Sequence, residues 1–275
     1  MTTAVLDQVV QTALAEDVGE GDITTEATVD RDAVGTAVLV FKQPGVVCGL
    51  DAAEAVFRIL DPAVDFETMV EEGVFVDNPP AVVARVSGSA RAVLTGERTA
   101  LNLLGRLSGI ATLTRGYVDA VRGTNVAILD TRKTTPGLRA LEKNAVRCGG
   151  GRNHRFGLDD GVLVKDNHLR AVGSVRAAVD GVRALSELQV EVECDTLEQV
   201  VEAVDAGVDA ILLDNMTLDD LRAAVTLVDG RARLEASGGV TLETVRSIAE
   251  TGVDEISVGA LTHSAQSLDV SMELE

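Results

Sequence analysis

The chain has 275 residues, 46% of them hydrophobic, which is enough to build a sizeable core in one large domain or two ordinary ones. Its 44 acidic and 24 basic residues give a formal net charge of −20 at pH 7, and such a charge repels polyanions. Only 2% of the residues are aromatic, so few side chains could stack on single-stranded bases. The composition therefore excludes intrinsic disorder and argues against a nucleic-acid-binding surface.

The same composition predicts an environment. Acidic residues are abundant and only four residues are Lys, a pattern expected of a halophile-like protein that works in concentrated salt. The amino terminus lacks a signal-peptide pattern and no stretch is long and apolar enough to span a membrane, so we expect a soluble, cytoplasmic protein. The three cysteines show no metal-ligand spacing, and we expect buried, reduced thiols with neither a disulfide framework nor a zinc site.

The amino-terminal part contains a short predicted helix at 9–15 and a turn-rich acidic loop at 16–22. Short apolar runs predict antiparallel strands at 36–41 and 81–86, separated by turns that contain proline. A long helical stretch from 95 to about 121 leads into the second half of the chain. We place one domain at 1–108 and a second at 109–275.

The second half repeats a strand–helix pattern that predicts βαβ units and a parallel sheet. Short apolar runs that end in a polar residue recur at 126–130, 162–165, 190–193, 210–214, 232–237 and 255–259. Six such units form either a short α/β barrel or an open, doubly wound sheet. No glycine fingerprint of a dinucleotide site follows any strand. Because function gathers at the carboxyl ends of parallel strands, the polar residues there favour a barrel mouth: Asp130, Lys165, Glu193, Asp214 and Ser237.

Basic residues are concentrated between 130 and 170. This segment holds nine Lys or Arg against five Asp or Glu, and three of the four lysines lie in it. Lys133 and Lys165 adjoin predicted strand ends, which indicates a point-charge role such as binding a phosphate, whereas Lys143 is expected on a solvated helix face. The loop at 131–137 offers the planar fork of Arg132, and three glycines precede His154 and Arg155. These features predict an anionic ligand.

Two further features complete the predicted site. Glu193 and Asp214 end consecutive strands, so their carboxylates lie side by side, where they could hold Mg²⁺ or stabilise a sugar cation. Glu191 shares the face of Glu193 and lies deeper. Glycine-bearing turns at 235–239 and 257–261 follow the last two strands, where backbone N–H groups commonly hold a phosphate.

These motifs resemble the quinolinate phosphoribosyltransferase family. The matching strings are 14–24 (LAEDVGEGDIT), 97–104 (ERTALNLL), 130–139 (DTRKTTPGLR), 149–155 (GGGRNHR), 164–168 (VKDNH), 191–193 (EVE), 213–215 (LDN), 235–239 (EASGG) and 257–263 (SVGALTH). The resemblance implies an amino-terminal α/β sandwich domain followed by an incomplete, about six-stranded parallel α/β barrel. It also implies transfer of phosphoribose from phosphoribosyl pyrophosphate to quinolinate with Mg²⁺, giving nicotinate mononucleotide, pyrophosphate and CO₂.

The resemblance also implies roles for individual residues. Arg98 matches an arginine that a partner subunit inserts into the active site, so a homodimer is expected. The residues that grip quinolinate and surround the transferring groups match Thr131, Arg132, Lys133, His154, Arg155 and Lys165. Glu193 and Asp214 match the carboxylates around the ribose and Mg²⁺, and with Lys133 and Lys165 they form the expected catalytic set. The 5′-phosphate loops match Ser237, Gly238, Gly239, Val258, Gly259 and Ala260.

Three alternatives stay open at this point. A related phosphoribosyltransferase could act on another pyridine carboxylate such as nicotinate, although the surplus of arginines favours a dicarboxylate. A Schiff-base lyase could use Lys165 as its imine-forming amine. A noncatalytic anion-binding protein is the third, against which the intact Glu193 and Asp214 argue.

Overall fold

The computed structural model describes residues 2–275 and contains helices and strands throughout. The elements up to the long helix are α1 (Thr3–Val18), α2 (Ile23–Thr28), β1 (Val34–Phe41), β2 (Gly45–Val46), α3 (Leu50–Leu60), β3 (Asp65–Thr68), β4 (Phe75–Val76), β5 (Ala81–Ser89) and α4 (Ala90–Ala120). The remaining elements are β6 (Ala127–Leu129), α5 (Arg139–Cys148), β7 (Val162–Val164), α6 (Asp166–Val172), α7 (Val175–Arg183), β8 (Val190–Cys194), α8 (Leu197–Ala206), β9 (Ala210–Asp214), α9 (Leu218–Val228), β10 (Arg233–Ser237), α10 (Val245–Ala249), β11 (Glu255–Ser257), α11 (Ala260–His263) and β12 (Val270–Leu274).

These elements form two compact units. The first unit comprises residues 2–115, 134–150 and 261–275, and the second comprises 116–133 and 151–260. The first unit contains a four-stranded sheet in the order β12-β1-β5-β3, in which every neighbouring pair is antiparallel. The predicted antiparallel strands are thus confirmed. The carboxyl-terminal strand β12 lies at one edge of this sheet, although the sequence prediction groups residues 109–275 together.

The second unit contains a six-stranded parallel sheet in the order β6-β11-β10-β9-β8-β7. All six apolar runs in the second half of the sequence form its strands, which confirms the predicted parallel fold. β6 and β7 are the two edge strands and are not paired with each other. A single parallel bridge between Leu129 and Arg152 extends the β6 edge. The barrel is therefore incomplete, as expected.

Local sequence signals explain where the outer helices of the second unit begin and end. Thr196 starts α8 with a capping box, in which its hydroxyl accepts from the Gln199 amide and the Gln199 side chain accepts from the Thr196 amide. The hydroxyls of Ser174 and Thr217 cap α7 and α9 by accepting from the backbone amides of Ala177 and Asp220. Gly207 ends α8 in a left-handed conformation. These helices lie between consecutive strands of the parallel sheet. The carboxyl ends of the strands therefore all lie at one edge of the sheet.

A buried ion pair lies inside the first unit. Glu142 on α5 is fully buried, and its carboxylate accepts from Nη2 of Arg106 at 2.8 Å and from Nε of Arg106 at 3.2 Å. Thr135 donates to the same carboxylate from its backbone amide and its hydroxyl. Arg106 also donates to the carbonyl of Ala265. The pair therefore joins α4, the segment before α5 and the carboxyl-terminal segment.

Replacing Glu142 with Gln is expected to lower the free energy of unfolding by about 2 kcal/mol or more, because the Arg106 cation then loses its charged partner inside the protein. Denaturant unfolding of the purified variant measures this change. Glu54→Gln, at an exposed position on α3, is the matched control and should change stability by less than about 0.5 kcal/mol. Equal stabilities of the two variants would contradict the prediction.

The prediction for Lys143 is wrong. The sequence predicts it on a solvated helix face, but only 2% of the residue is exposed. Its helix, α5, is enclosed around most of its circumference, since Leu141, Glu142, Ala145 and Val146 are buried as well. The position of the lysine is set by this packing, which its neighbours in the sequence do not reveal.

The three cysteines are free thiols. Cys48 and Cys194 are buried, as predicted, whereas Cys148 at the end of α5 is half-buried. Within residues 2–275, the long helix α4 and its shorter neighbours all lack the combination of length and apolar character that crossing a bilayer requires.

Candidate active site

The carboxyl ends of the parallel strands bring four of the predicted site residues to one edge. Lys165 directly follows β7, Glu193 lies near the end of β8, and Asp214 and Ser237 are the last residues of β9 and β10. In the strand register, Asp214 is opposite Ser237 and two residues beyond the partner of Glu193. Glu193 and Asp214 therefore lie on the same face of the sheet as diagonal neighbours.

Lys165 and Glu193 form an ion pair at this edge. The Nζ of Lys165 lies 2.5 Å from Oε2 of Glu193, and the Lys165 side chain is 45% exposed while that of Glu193 is 16% exposed. The Lys165 backbone amide donates to Nδ1 of His168 at 2.9 Å at the start of α6. His168 thus positions the backbone of Lys165. The Lys165–Glu193 ion pair therefore joins the end of β7 to β8.

The turns after β9 and β10 approach each other closely. Gly238 and Gly239 have φ values of +95° and +58°, and Asn215 beside them has a φ of +55°. A Cβ on Gly238 would lie 2.2 Å from Oδ1 of Asn215, so only glycine fits this position. The side-chain amide of Asn215 donates to the Asp214 carboxylate at 2.9 Å. Consecutive backbone amides in such a turn form a concavity suited to an anion.

The turn after β11 lies next to this one. The hydroxyl of Ser257 donates to that of Ser237 at 2.9 Å, which joins the ends of β10 and β11. The Val258 side chain is buried and its amide donates to the Leu129 carbonyl, so this amide is already used in the sheet. Gly259 and Ala260, which follow it, are half-exposed at the start of α11. Of this predicted phosphate loop, these two residues are more exposed than Val258.

Asp130 holds the basic loop in place. Its carboxylate is fully buried and accepts from Nδ2 of Asn153 at 2.5 Å and from the backbone amide of His154 at 2.9 Å. The sequence predicts Asp130 in the charged ring at the mouth. The structure shows instead that it anchors the loop that carries His154 and Arg155. Its place at the end of an apolar run predicts correctly that it lies at the end of a strand, but it does not predict this contact.

Arg132 and Arg155 bring two guanidinium groups into one region. Burial, followed by the nearby positive charge of Arg132, lowers the pKa of Arg155. Nη1 of Arg155 donates to the Gly161 carbonyl at 3.0 Å. Nε of Arg132 is buried and has no hydrogen-bond partner within residues 2–275. A planar ligand with more than one carboxylate would satisfy this N–H group and reduce the repulsion between the guanidinium groups.

His154 faces two glutamates inside the sheet. Its Nε2 lies 3.1 Å from Glu191 and 3.4 Å from Glu235, whose side chains are almost completely buried. Burial alone lowers the pKa of this imidazole, but the two carboxylates raise it to about 10. The Arg155 amide donates to Nδ1 at 2.7 Å, so a second ring proton requires this amide to turn away, which opposes that rise. Both ring nitrogens thus contact the protein, and His154 helps to orient Arg155.

Glu191 and Glu235 are the functional candidates that sequence analysis missed. Glu191 was predicted to lie deeper on the face of Glu193, and it is indeed buried, but neither glutamate was assigned to the site. Burial raises the pKa of Glu235. The available signal was a carboxylate at alternate positions of otherwise apolar strands, which predicts a charge pointing into the sheet interior and hence a buried partner.

A cavity of about 320 Å³ opens at the opposite, amino-terminal ends of the strands. The first residues of four strands line it, namely Val162, Ala210, Arg233 and Glu255. His154 and Arg155 reach this cavity, together with Glu191 and Glu235. The His154 cluster therefore lies between this cavity and the edge that carries Glu193.

The remaining predicted site residues are placed as follows. Thr131 accepts from the Lys133 amide at 3.0 Å, which shapes the loop after β6, and Lys133 itself is exposed. Arg98 belongs to the first unit, on α4, where its side chain is 63% exposed and its nearest carboxylate is Glu97 at 4.0 Å. All the other predicted site residues belong to the second unit.

Comparison with known proteins extends this description. Residues 22–108 match the family model for the N-terminal domain of quinolinate phosphoribosyl transferase, and residues 110–273 match the model for its C-terminal domain. A probable nicotinate-nucleotide pyrophosphorylase [carboxylating] from Synechocystis is 46% identical over 98% of this chain and 92% of its own length. The corresponding protein of Mycobacterium leprae is 47% identical over 96% of this chain and 95% of its own.

Solved structures agree with the sequence matches. The nicotinate-nucleotide pyrophosphorylase from Francisella tularensis superimposes with a TM-score of 0.95 at 37% identity, covering 100% of this chain and 98% of that one. The resemblance seen in the sequence motifs is therefore confirmed along both halves of the chain. This chain belongs to the quinolinate phosphoribosyl transferase family.

Proposed function

We propose that this chain transfers the phosphoribosyl group of phosphoribosyl pyrophosphate to quinolinate, giving nicotinate mononucleotide, pyrophosphate and CO₂ in the de novo synthesis of NAD. The observation that carries this proposal is that the second unit contains two kinds of ligand-binding side chain. The guanidinium groups of Arg132 and Arg155 suit a planar dicarboxylate, and the sheet edge with Lys165, Glu193 and Asp214 suits a phosphorylated sugar. The family membership of the chain supports the same reaction.

The proposed chemistry follows from these groups. As pyrophosphate leaves, positive charge develops at the anomeric carbon of the ribose, and nearby carboxylates stabilise it as they do in glycoside hydrolysis. We assign this role to Glu193 and Asp214. The pyridine nitrogen of quinolinate then forms a bond to that carbon, guided by Arg132 and Arg155.

Decarboxylation follows from the charge created by this bond. The pyridine ring nitrogen becomes positively charged, and the electron pair of the neighbouring carbon–carboxylate bond passes to the ring carbon as CO₂ leaves. A proton then replaces the carboxylate on that carbon. This sequence requires no covalent enzyme intermediate. It also requires no imine, and Lys165 is paired with Glu193 rather than isolated in the apolar pocket that activates an imine-forming lysine.

We also propose that the reaction uses Mg²⁺. The donors at the proposed position are carboxylate oxygens of Glu193 and Asp214 on one face of the sheet, and such hard oxygen ligands fit this ion. When bound, Mg²⁺ would offset the negative charge of the leaving pyrophosphate. Lys165, which is paired with Glu193, would supply a further positive charge beside the leaving pyrophosphate.

The direct test is the formation of nicotinate mononucleotide from phosphoribosyl pyrophosphate, with quinolinate and nicotinate supplied in parallel. We expect pyrophosphate and CO₂ to appear in equal amounts and only with quinolinate, because a monocarboxylate leaves one guanidinium group without its partner. Nicotinate turned over as fast as quinolinate would favour the alternative salvage reaction. Turnover of neither substrate would favour a noncatalytic anion-binding protein.

We further propose that the protein is a homodimer in which Arg98 reaches the active site of the partner subunit. The exposed side chain of Arg98 and its long contact with Glu97 leave the guanidinium group available for such a contact. The family resemblance supports this arrangement, and its consequence for mixed dimers is developed in the Discussion.

Salt is expected to stabilise this protein. A net charge of −20 repels itself, and ions shorten the range of this repulsion to about 3 Å at about 1 M salt. We therefore expect the melting temperature to rise between about 0.1 M and about 1 M KCl, and kcat at saturating substrate to be retained or to rise. Sucrose at equal osmolality is the control for stabilisation by nonspecific exclusion of a solute from the protein surface. A melting temperature and kcat that both fall as KCl increases would contradict a halophile-like adaptation.

A further inference from the structure

A second group of possible ligand atoms lies in the first unit, outside the proposed active site. The sulfur atoms of Cys48 and Cys148 and a carboxylate oxygen of Glu72 all lie within 4.8 Å of one another. Cys48 is buried, Cys148 is half-buried and Glu72 is exposed, so the group is open to solvent on one side. The two cysteines are far apart in the sequence, which explains why their spacing indicated no metal site.

We propose that Cys48, Glu72 and Cys148 bind Zn²⁺, with water as the fourth ligand. Two thiolates and a carboxylate are donors that zinc accepts in tetrahedral sites. At the usual Zn–S and Zn–O lengths, a tetrahedral site separates a sulfur and an oxygen ligand by about 3.5 Å and two sulfurs by about 3.8 Å. Sγ of Cys148 lies 3.6 Å from Oε2 of Glu72, which matches the first of these separations. The site therefore needs only a small movement of the Cys48 side chain.

Hydrogen bonds already orient the carboxylate and one thiol. Oε1 of Glu72 accepts from the amides of Gly49 and Leu50, each at 2.8 Å, which leaves Oε2 directed at Cys148. The Asn144 side chain accepts from Arg147 through Oδ1 and places Nδ2 4.0 Å from Sγ of Cys148. Such outer contacts fix the ligands of metal sites and raise their affinity.

The backbone segments that carry the three ligands are also held together. Ser108 accepts from the Cys48 amide and donates to the Cys48 carbonyl. Arg115 donates to the carbonyls of Gly73 and Gly149, the residues that follow Glu72 and Cys148. The Gly73 amide donates to Val47, directly before Cys48. The ligand geometry is thus built into the fold rather than created by mobile side chains.

The charge of the cluster favours a cation. Glu72 forms no ion pair with Lys, Arg or His in the part of the chain that the structure describes. Asp51 adds a second negative charge near Cys48 and Glu72. A divalent cation would reduce this repulsion and allow both thiols to ionise.

Co²⁺ titration of the full-length, metal-free protein, with its thiols kept reduced by a phosphine, tests the proposal. We expect one Co²⁺ per chain with sulfur-to-cobalt charge-transfer absorption and the strong visible bands of tetrahedral cobalt, displaced by one equivalent of Zn²⁺. Calorimetry in buffers of different ionisation enthalpy should show about two protons released per Zn²⁺. Absence of the charge-transfer absorption in the reduced wild-type protein would overturn the proposal.

Variants separate this site from other cation sites. Cys48→Ser and Cys148→Ser should abolish the charge-transfer absorption, and Glu72→Gln should weaken Zn²⁺ binding by about tenfold or more. Cys194→Ala, which removes a buried thiol of the second unit, and Glu193→Gln, at the proposed Mg²⁺ position, should leave the absorption unchanged. Circular dichroism checks that each variant folds. Unaltered absorption in a folded Cys48→Ser/Cys148→Ser double variant would refute the assignment.

Discussion

Replacing Glu193 with Gln is expected to lower kcat by about 10²- to 10³-fold, with a much smaller change in the KM for either substrate. The substitution keeps the size of the side chain and removes its negative charge. That charge is needed most when positive charge develops at the ribose carbon, so its loss affects the transition state more than the bound substrates. Steady-state kinetics with phosphoribosyl pyrophosphate and quinolinate, each varied at saturating levels of the other, measures the effect.

Asp195→Asn is the matched control for this variant. Asp195 is exposed just beyond the end of the same strand, and its amide donates to the Gln199 side chain. It therefore removes the same charge near the same edge without touching the Lys165–Glu193 pair, and kcat should stay within about twofold of the wild-type value. Equal activities of the two variants would exclude a catalytic role for Glu193.

The sequence was most informative about regular elements and the edge at which they end. Each parallel strand combines a short apolar run with a polar last residue, and each run is short because a buried strand needs only a few residues to cross the core. Since parallel strands end at one edge, the order of these runs alone predicted that Lys165, Glu193 and Asp214 would meet. The ion pair between Lys165 and Glu193 confirms that these two residues meet.

Buried charges were the part that the sequence could not provide. Glu142 is stabilised by Arg106, Asp130 by the loop at 153–154, and Glu235 by His154, and each partner is far away in the chain. A charged residue reads as exposed unless its partner is known, because isolated burial is costly. The same reason explains why the sequence assigns Lys143 to a solvated face, although it is buried.

Mixed dimers are expected to recover activity that neither parent variant has. Arg98→Ala removes the arginine proposed to enter the partner's site, and Glu193→Gln disables the site of its own chain. In a mixed dimer, the barrel of the Arg98→Ala chain keeps Glu193 and receives Arg98 from the other chain, so one of its two sites is intact. When equal amounts of the two chains pair at random, about half of the dimers are mixed. Because one of the two sites in each mixed dimer is intact, about a quarter of the wild-type activity should return.

The control for this experiment combines two variants of the same unit. Glu193 and Lys165 belong to one sheet edge, so co-expressed Glu193→Gln and Lys165→Ala chains leave every site of a mixed dimer defective, and activity should stay near the parent level. If the Arg98→Ala and Glu193→Gln mixture also stays at that level while mass measurements show mixed dimers, Arg98 does not act across the interface. Recovery in that mixture alone would assign Arg98 to the partner's active site, because no arrangement within one chain can restore a site by exchange of subunits.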